Sequence, residues 1–332
     1  MQYSTFAAID IGSYDVILEI FEISKKQGIR SVDKICHRME LGKDTYTLGK
    51  IRPEMEEELC RVLADFVRIM EGYRVDAYRA MASSAISEAA NSLYVLGKIR
   101  QLTGLSVTVL SNSEQRFLGY KALAAMEDNF NKIIEKGTAI LDLDGGSFQI
   151  SLFDKDALVT TQNIRMGSLR IRERLAGIQS ETEHYEEMVE ELIWNEVSSF
   201  KKMYLKDRKI ENIMLIGDVF TDSVYQNIEE KTTKIISREN FNTWYEKIIR
   251  QSPMELAVKL GIPLENASLM YPSAVIYKCL IDMMGAEHIW IPGVHMTRGI
   301  AYEYAEQMKL LKGGHNFEND ILMAAKNIGK RY

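Results

Sequence analysis

The chain is predicted to be an α/β protein built from two similar domains with a cleft between them. Segments of strand and helix character alternate through both halves, which is typical of this class. One local pattern occurs twice: residues 6–22 and 139–153 each read as a buried strand ending at an acid, a Gly/Ser turn and a second strand. The repetition indicates a duplicated fold, and we expect both turns to face one phosphate chain.

In the first half, further elements are predicted after this hairpin. Pro53 suits the first position of a helix, and the apolar spacing that follows is helical until Gly72. Residues 42–49 are expected to be a loop. The predicted elements are strand 29–41, helix 54–72, strand 75–81, helix 83–103, strand 107–110 and helix 111–127.

The polar segment 131–137 interrupts this pattern and marks a domain boundary. The predicted domains are residues 1–128, residues 129–310 and a helical C-terminal tail, residues 311–332. After the second hairpin we expect strand 157–166, helix 181–203, strand 213–216, helices 241–250, 254–260 and 268–284, strand 289–291 and a helical segment from 302.

Length and composition limit the classes of function. A chain of 332 residues favours two domains. Its formal net charge is -6, and the sequence contains no block of like charges. Nucleic acid is not expected as a partner, because binding its phosphate backbone needs a basic face. The three cysteines are far apart, and no apolar run approaches the ~20 residues that cross a bilayer. The first residues show no basic region or cleavage site, so no secretory leader is expected. We therefore expect a cytoplasmic protein without a membrane partner.

The two Gly/Ser turns have the chemistry of phosphate-binding loops. Glycine lets backbone N–H groups approach a ligand closely, and an acid at a strand end can position a metal ion or a water. Asp10 and Asp142 are the predicted metal ligands. The predicted substrate-binding residues of the turns are Gly12, Ser13, Gly145, Gly146 and Ser147. The alternative is that both hairpins are structural turns whose acids cap the backbone.

Six short motifs follow one another in order: AIDIGS at 8–13, ASSAISEA at 82–89, SNSEQ at 111–115, DLDGGS at 142–147, RMGS at 165–168 and RGIAY at 298–302. Through them, residues 6–310 resemble the exopolyphosphatase/guanosine pentaphosphate phosphohydrolase (Ppx/GppA-type) phosphatases. The resemblance implies two ribonuclease H-like (actin/Hsp70-type) domains and hydrolysis of terminal phosphoanhydrides with Mg²⁺. It also implies anion contacts from Arg165, Gly167, Ser168 and Gly217.

The chain departs from the family pattern in its ligand-facing loops. The first family loop reads D-x-G-S-N-S, whereas Tyr14 and Asp15 follow the serine here. The second reads D-x-G-G-G-S-T-E, and Asp144, Phe148 and Gln149 replace its first glycine, its threonine and its glutamate. The two new acids either create an additional cation site or are ordinary loop acids. Ser87 stands where the family usually has an arginine.

The position of the catalytic base has also changed. The family's S-G-x-E-E-A carries the proposed base on its second glutamate, and Gln115 occupies that position. An amide cannot accept a proton from water, and general-base catalysis contributes ~10²–10⁴-fold. Glu114 is adjacent, but one step along a helix turns a side chain by about 100°. It is either a displaced base or an acid favoured in the first turn of a helix.

The leading hypothesis is a slow exopolyphosphatase-type hydrolase with Glu114, Gln115 and Asp142 as catalytic candidates. The expected substrate is polyphosphate or a phosphorylated guanine nucleotide, and a homodimer is one expected assembly. The rival hypothesis is a catalytically inactive sensor of polyphosphate or a nucleotide that uses the same cleft, which Gln115 and Gln149 favour. A sugar-kinase-like phosphotransferase fits the order of the motifs less well. Arg165, Arg170 and Arg172 suit phosphate binding but are equally common as solvated charges.

Overall fold

The computed structural model describes residues 3–126, 130–155, 157–176, 185–205, 208–227 and 235–311. Within them the strands are β1 (Ser4–Ile11), β2 (Asp15–Ser24), β3 (Gly28–Arg38), β4 (Ala77–Ala82), β5 (Val107–Val109), β6 (Thr138–Leu143), β7 (Phe148–Asp154), β8 (Ala157–Ile164), β9 (Asn212–Ile216), β10 (Ile235–Ser237) and β11 (His288–Trp290).

The α-helices in these residues include two of about twenty residues and several short ones. They are α1 (Leu41–Leu48), α2 (Pro53–Gly72), α3 (Ser84–Ser87), α4 (Ser92–Thr103), α5 (Asn112–Met126), α6 (Phe130–Ile134), α7 (Ser168–Leu175), α8 (Tyr185–Phe200), α9 (Val219–Asn227), α10 (Arg238–Ile249), α11 (Pro253–Leu260), α12 (Leu264–Met284) and α13 (Met296–Gln307). A π-helix, Lys201–Leu205, continues α8.

The chain forms two compact units, each built around one sheet. The first sheet has the order β3-β2-β1-β4-β5, in which β1, β2 and β3 are antiparallel and β4 and β5 continue parallel to β1. The second has the order β8-β7-β6-β9-β11-β10 and repeats this arrangement, with β10 added at the edge. The predicted duplicated α/β fold is therefore confirmed.

Both faces of the first sheet are covered by helices. Ala7 and Ile9 of β1 pack into a core with residues of α2 and α4, whereas Phe6 and Ala8 pack against α5 and α13. Side chains alternate between the two faces of a strand, so an uninterrupted apolar run is what a strand buried on both sides requires. This is why residues 6–9 are readable as a buried strand from sequence.

Helix α13 belongs to the first unit, although it follows the second unit in the chain. Its glycine, Gly299, lies so close to α5 that an added Cβ would stand 2.4 Å from the Leu118 carbonyl oxygen. Tyr304 stacks on Phe6 with ring centroids 4.2 Å apart. The described part of the first unit is thus 3–125 with 295–311, which differs from the predicted domains at residues 295–310. Residues 312–332 of the predicted tail lie outside the described residues.

Three local expectations differ from the structure. Residues 42–49, expected as a loop, form most of α1, whose Thr45 hydroxyl donates to the Ala85 carbonyl at 2.7 Å. The helix expected over 83–103 is broken between α3 and α4, because the Asn91 side chain hydrogen-bonds both the N–H and the carbonyl of Ile51. Residues 168–175 form a helix, α7, where no helix was predicted. Tertiary contacts override local pattern at each of these places.

Candidate active site

In the second unit, Asp142 lies near the carboxyl end of β6, beside Gln149 of β7 and Ile216 of β9. The turn that follows is closed by a hydrogen bond from the Asp144 N–H to the Ser147 carbonyl at 2.9 Å. Ligands of open α/β sheets bind at the carboxyl ends of the strands. Gly145 and Gly146 therefore lie at this end of the sheet, and their role in phosphate binding stays a prediction.

Helix α7 holds this loop from behind. The Ser168 N–H donates to the Asp144 carbonyl at 3.3 Å and the Arg170 N–H to the Gly145 carbonyl at 2.9 Å, and Arg170 Nε donates to the Gly146 carbonyl at 2.8 Å. An added Cβ on Gly167 would lie 2.2 Å from the Asp144 carbonyl oxygen. Gly167 and Ser168, predicted to contact substrate, thus lie against the loop, and the Ser168 side chain is fully buried. The loop is rigidly supported.

A carboxylate of the loop already uses one of its N–H groups. The Gly145 N–H donates to Oδ1 of Asp144 at 2.6 Å. In the family loop a glycine takes the place of Asp144, so that no side chain there could accept this hydrogen bond. The Asp144 carboxylate therefore lies at an N–H group on which phosphate binding is predicted to depend.

The β9–α9 turn packs against the same strand end. Gly217 has φ of +78°, and an added Cβ would lie 2.4 Å from the Leu143 carbonyl oxygen and 3.2 Å from Oδ1 of Asp142. Only glycine fits this position, because both the backbone angle and the space exclude a side chain. The structure therefore brings Gly217 together with Asp142, and the role of Gly217 in substrate binding stays a prediction.

Asp218, the next residue, is an acid buried in this turn. It also has a positive φ, +67°, and its Oδ1 accepts the Phe220 N–H at 2.9 Å. Burial raises the pKa of Asp218 to about 8, against the hydrogen bonds from the Phe220 and Thr221 N–H groups that lower it. The pKa of Tyr277 is raised well above its usual value by burial and by the nearby charges of Asp218 and Asp142. Sequence reasoning assigned Asp218 no role, since burial of a loop acid has no sequence signal.

The row of polar residues beside Asp142 continues across the sheet. Gln149 pairs with Asp142 in one direction and with Asn163 of β8 in the other, so the three side chains share one face. Gln149 is 2% exposed, and its Oε1 has no hydrogen-bond partner within the described part of the chain. A neutral amide thus stands beside the predicted metal ligand where the family pattern has a carboxylate.

In the first unit, Asp10 occupies the equivalent position near the end of β1, paired with Ile17 of β2 and Met81 of β4. The following turn is closed by the Gly12 N–H, which donates to the Asp15 carbonyl at 2.9 Å. Ser13, a predicted substrate contact, is fully buried. The first loop therefore repeats the strand–acid–turn geometry of the second.

Asp15 points along the sheet toward β3. Its Oδ2 accepts a hydrogen bond from Arg38 at 2.8 Å and lies 3.6 Å from Sγ of Cys36. Between the two interpretations of Asp15, this ion pair favours an acid with a structural role.

Glu114 and Gln115 lie at the start of α5 in the first unit. The Glu114 carboxylate accepts hydrogen bonds from the Ser111 N–H at 2.8 Å and the Ser111 hydroxyl at 2.7 Å, which lower its pKa. The Ser111 hydroxyl accepts in turn from the Glu114 N–H at 3.3 Å, completing a capping box. Gln115 is buried. This geometry favours the capping alternative for Glu114.

The three arginines suggested for phosphate binding occupy different environments. Arg170 supports the second loop, and Arg172 forms an ion pair with Glu173 and donates to the Ser268 hydroxyl at 2.8 Å. Arg165 is exposed. The role of Arg165 in substrate binding stays a prediction.

The described residues contain no group of three or more His, Cys, Asp or Glu side chains that could hold a metal ion. Magnesium in phosphate-processing sites is bound by one or two carboxylates, with phosphate oxygens and waters completing its coordination. Asp10 and Asp142 each lie near a strand end beside a glycine turn, so each can offer one such carboxylate, and their role as metal ligands stays a prediction. No helix among the described residues is long and apolar enough to cross a membrane.

A model of the Ppx/GppA phosphatase family matches residues 19–308. The chain belongs to this family. It is 21% identical over 310 residues to a bifunctional 3-dehydroquinate synthase/phosphatase of Fusobacterium nucleatum, covering 85% of this chain and 44% of the relative. It is 26% identical over 144 residues to exopolyphosphatase 1 of Mycobacterium leprae, covering 43% of this chain and 41% of the relative. The chain thus spans less than half the length of these curated relatives.

Among solved structures, an exopolyphosphatase from Cytophaga hutchinsonii superimposes with a TM-score of 0.81 at 16% identity, over 93% of this chain and 100% of that one. At this identity the likeness concerns the fold. It confirms the Ppx/GppA architecture of two actin-like domains.

Proposed function

We propose that this Ppx/GppA protein slowly releases terminal phosphate from polyphosphate or guanosine pentaphosphate. The observation that carries the proposal is the second loop, whose Gly145 and Gly146 carbonyls are fixed by Arg170 beside Asp142 at the carboxyl end of β6. Groups held in place before the substrate binds stabilise developing charge without reorganisation. Such a loop suits a phosphoryl group.

The residues of the two loops have separate roles in binding phosphate and metal. Backbone N–H groups of the loops containing Gly12 and Gly145 bind phosphate oxygens, and Ser147 contributes a hydroxyl. Asp10 and Asp142 would hold Mg²⁺, which neutralises phosphate charge when bound. Arg165 provides a further cationic contact.

Slow turnover follows because neither residue at the family's base motif is an effective general base. Gln115 cannot accept a proton, and Glu114 is engaged in its capping box with a lowered pKa, which makes it a weaker base. Loss of a general base costs about 10²–10⁴-fold in rate. We therefore propose that water attacks with little help from either residue.

The second candidate function is binding without catalysis. Gln115 and Gln149 replace the family's two acids, and the Asp144 carboxylate lies at a loop N–H. In this alternative the loops sense polyphosphate or a nucleotide. A cytoplasmic location, supported by the dispersed cysteines, and a homodimer stay predictions.

The deciding experiment measures phosphate release from long-chain polyphosphate and from guanosine pentaphosphate with Mg²⁺. The variants are Asp142→Asn and Gln115→Glu, with Asp154→Asn at the far end of the same hairpin as the matched control. We expect measurable release by wild type and by the control, loss in Asp142→Asn and faster release in Gln115→Glu. Substrate binding without release by the wild type, with recovery in Gln115→Glu, would establish the sensor instead.

A further inference from the structure

Three hydroxyl groups meet at the first phosphate loop. The Ser13 hydroxyl lies 2.7 Å from the Tyr46 hydroxyl, which lies 2.8 Å from the Ser84 hydroxyl. The third side of the triangle, from Ser13 to Ser84, is longer at 3.4 Å. Tyr46 therefore makes both short contacts of the triangle, and each serine hydroxyl meets it more closely than it meets the other serine.

The fold brings these hydroxyls to the edge where a ligand is expected. Strands β1 and β4 are parallel, and Ile11 pairs with Ala82, so Ser13 and Ser84 both follow carboxyl ends of strands. The Gly42 N–H donates to the Ser13 carbonyl at 2.7 Å and thereby attaches α1, which carries Tyr46, to the loop. The cluster is thus fixed to the loop by main-chain as well as side-chain bonds.

The hydrogens of the cluster determine what it can offer a ligand. Three hydroxyls carry three hydrogens, and the two short contacts use two of them. Within the triangle, the third hydrogen meets only the 3.4 Å contact, which is at the limit of a hydrogen bond. Phosphate oxygens without protons only accept hydrogen bonds, so hydroxyl groups at this edge are suitable donors to them.

Two nearby features support an anion as the ligand. The Ser83 hydroxyl, 5% exposed, has no hydrogen-bond partner within the described part of the first unit. Ser87, where the family usually has an arginine, leaves this edge of the loop without that cation. Neutral hydroxyl donors at this edge can then meet phosphate oxygens beside the backbone N–H groups of the loop.

We propose that Tyr46 is a positioning residue of the first phosphate loop, orienting the Ser13 and Ser84 hydroxyls, and that Ser84 is a further phosphate contact. This inference rests on the proposed function, because it assumes that the loop binds a phosphate chain.

The test measures binding of inorganic tripolyphosphate with Mg²⁺ by calorimetry, and phosphate release kinetics on the same proteins. The variants are Tyr46→Phe and Ser84→Ala, with Tyr94→Phe as the matched control on exposed surface of the same unit. We expect dissociation constants raised about three- to tenfold in both variants and unchanged in the control. KM should rise with kcat unchanged, and the double variant should bind only slightly more weakly than either single one.

Tripolyphosphate binding by Tyr46→Phe equal to that of Tyr94→Phe would overturn the inference while leaving the proposed function intact. A lower melting temperature with unchanged binding would give the cluster a purely structural role and would also overturn it. Ser84→Ala decides the same question if Tyr46→Phe does not fold. No binding and no phosphate release by the wild type would overturn both proposals.

Discussion

Glu114 accepts two hydrogen bonds from Ser111, at 2.8 and 2.7 Å, and so caps the helix at whose start it lies. The same geometry occurs in the second unit, where Glu255 accepts from the Ser252 N–H at 2.8 Å and from its hydroxyl at 2.8 Å. The two acids therefore form a matched comparison, because Glu114 lies at the family's base motif and Glu255 does not.

We expect Glu114→Ala and Glu255→Ala to destabilise the protein similarly, by about 0.5–1 kcal/mol, because each removes one capping box. Neither should change phosphate release per folded molecule. Thermal unfolding and phosphate release of both variants check this. Loss of release in Glu114→Ala alone would make Glu114 the displaced base.

Gly167→Ala should move the second phosphate loop. The new Cβ would stand 2.2 Å from the Asp144 carbonyl oxygen, so the backbone must shift, at a cost of about 1–3 kcal/mol. Gly97 is the control: it lies inside α4 with nothing within 4 Å of an added Cβ, and Gly97→Ala should stabilise by about 0.5–1 kcal/mol. Opposite shifts in melting temperature, with weaker tripolyphosphate binding in Gly167→Ala only, are expected. Equal binding by the two variants would show that the loop tolerates displacement.

Asp218→Asn should change how stability depends on pH. The pKa of Asp218 rises from 3.8 to about 8 on folding, because the charged form is buried without sufficient compensation. The contribution of Asp218 to the free energy of unfolding is fully present below pH 4 and is lost as the pH rises toward 8. The free energy of unfolding falls by at most about 1.4 kcal/mol per pH unit in this range. The amide escapes this loss, and asparagine also tolerates the positive φ.

The stabilisation by Asp218→Asn should therefore grow between pH 5 and pH 8 and then level off. Melting temperatures of wild type and variant across this range measure it. Asp65→Asn, on the exposed surface of the first unit, is the control and should show no such growth. A constant difference at all pH values would mean that Asp218 is ionised in the folded protein.

Asp144→Gly should strengthen tripolyphosphate binding. It removes a negative charge and releases the Gly145 N–H from its 2.6 Å hydrogen bond, and we expect a gain of about five- to tenfold. Asp144→Asn retains an acceptor without the charge and should fall between wild type and glycine. Weaker binding of the Mg²⁺ complex by Asp144→Gly would instead support the interpretation that Asp144 helps to form a cation site.

The duplicated sheet was predictable because local pattern determines it. The apolar run of residues 6–9 and the Gly-Gly turn after Asp142 are both visible within a few residues of sequence. The role of Arg170 was not predictable in the same way, since its hydrogen bond to the Gly146 carbonyl crosses 24 positions. The burial of Ser13 likewise depends on Tyr46 and Ser84, which come from other elements. Sequence identified the loops, while the contacts that support them arise from tertiary structure.

Helix α13 has a consequence for synthesis on the ribosome. A nascent chain that has emerged to residue 125 contains every strand of the first sheet, yet it lacks the helix that covers Phe6 and Phe21. That apolar surface stays uncovered until Ile300 and Ala305 have been translated, which happens after all the described strands and helices of the second unit. The first unit is thus completed only by the last part of the described chain. A premature stop codon before α13 would leave the apolar face of the first sheet exposed and prone to aggregation.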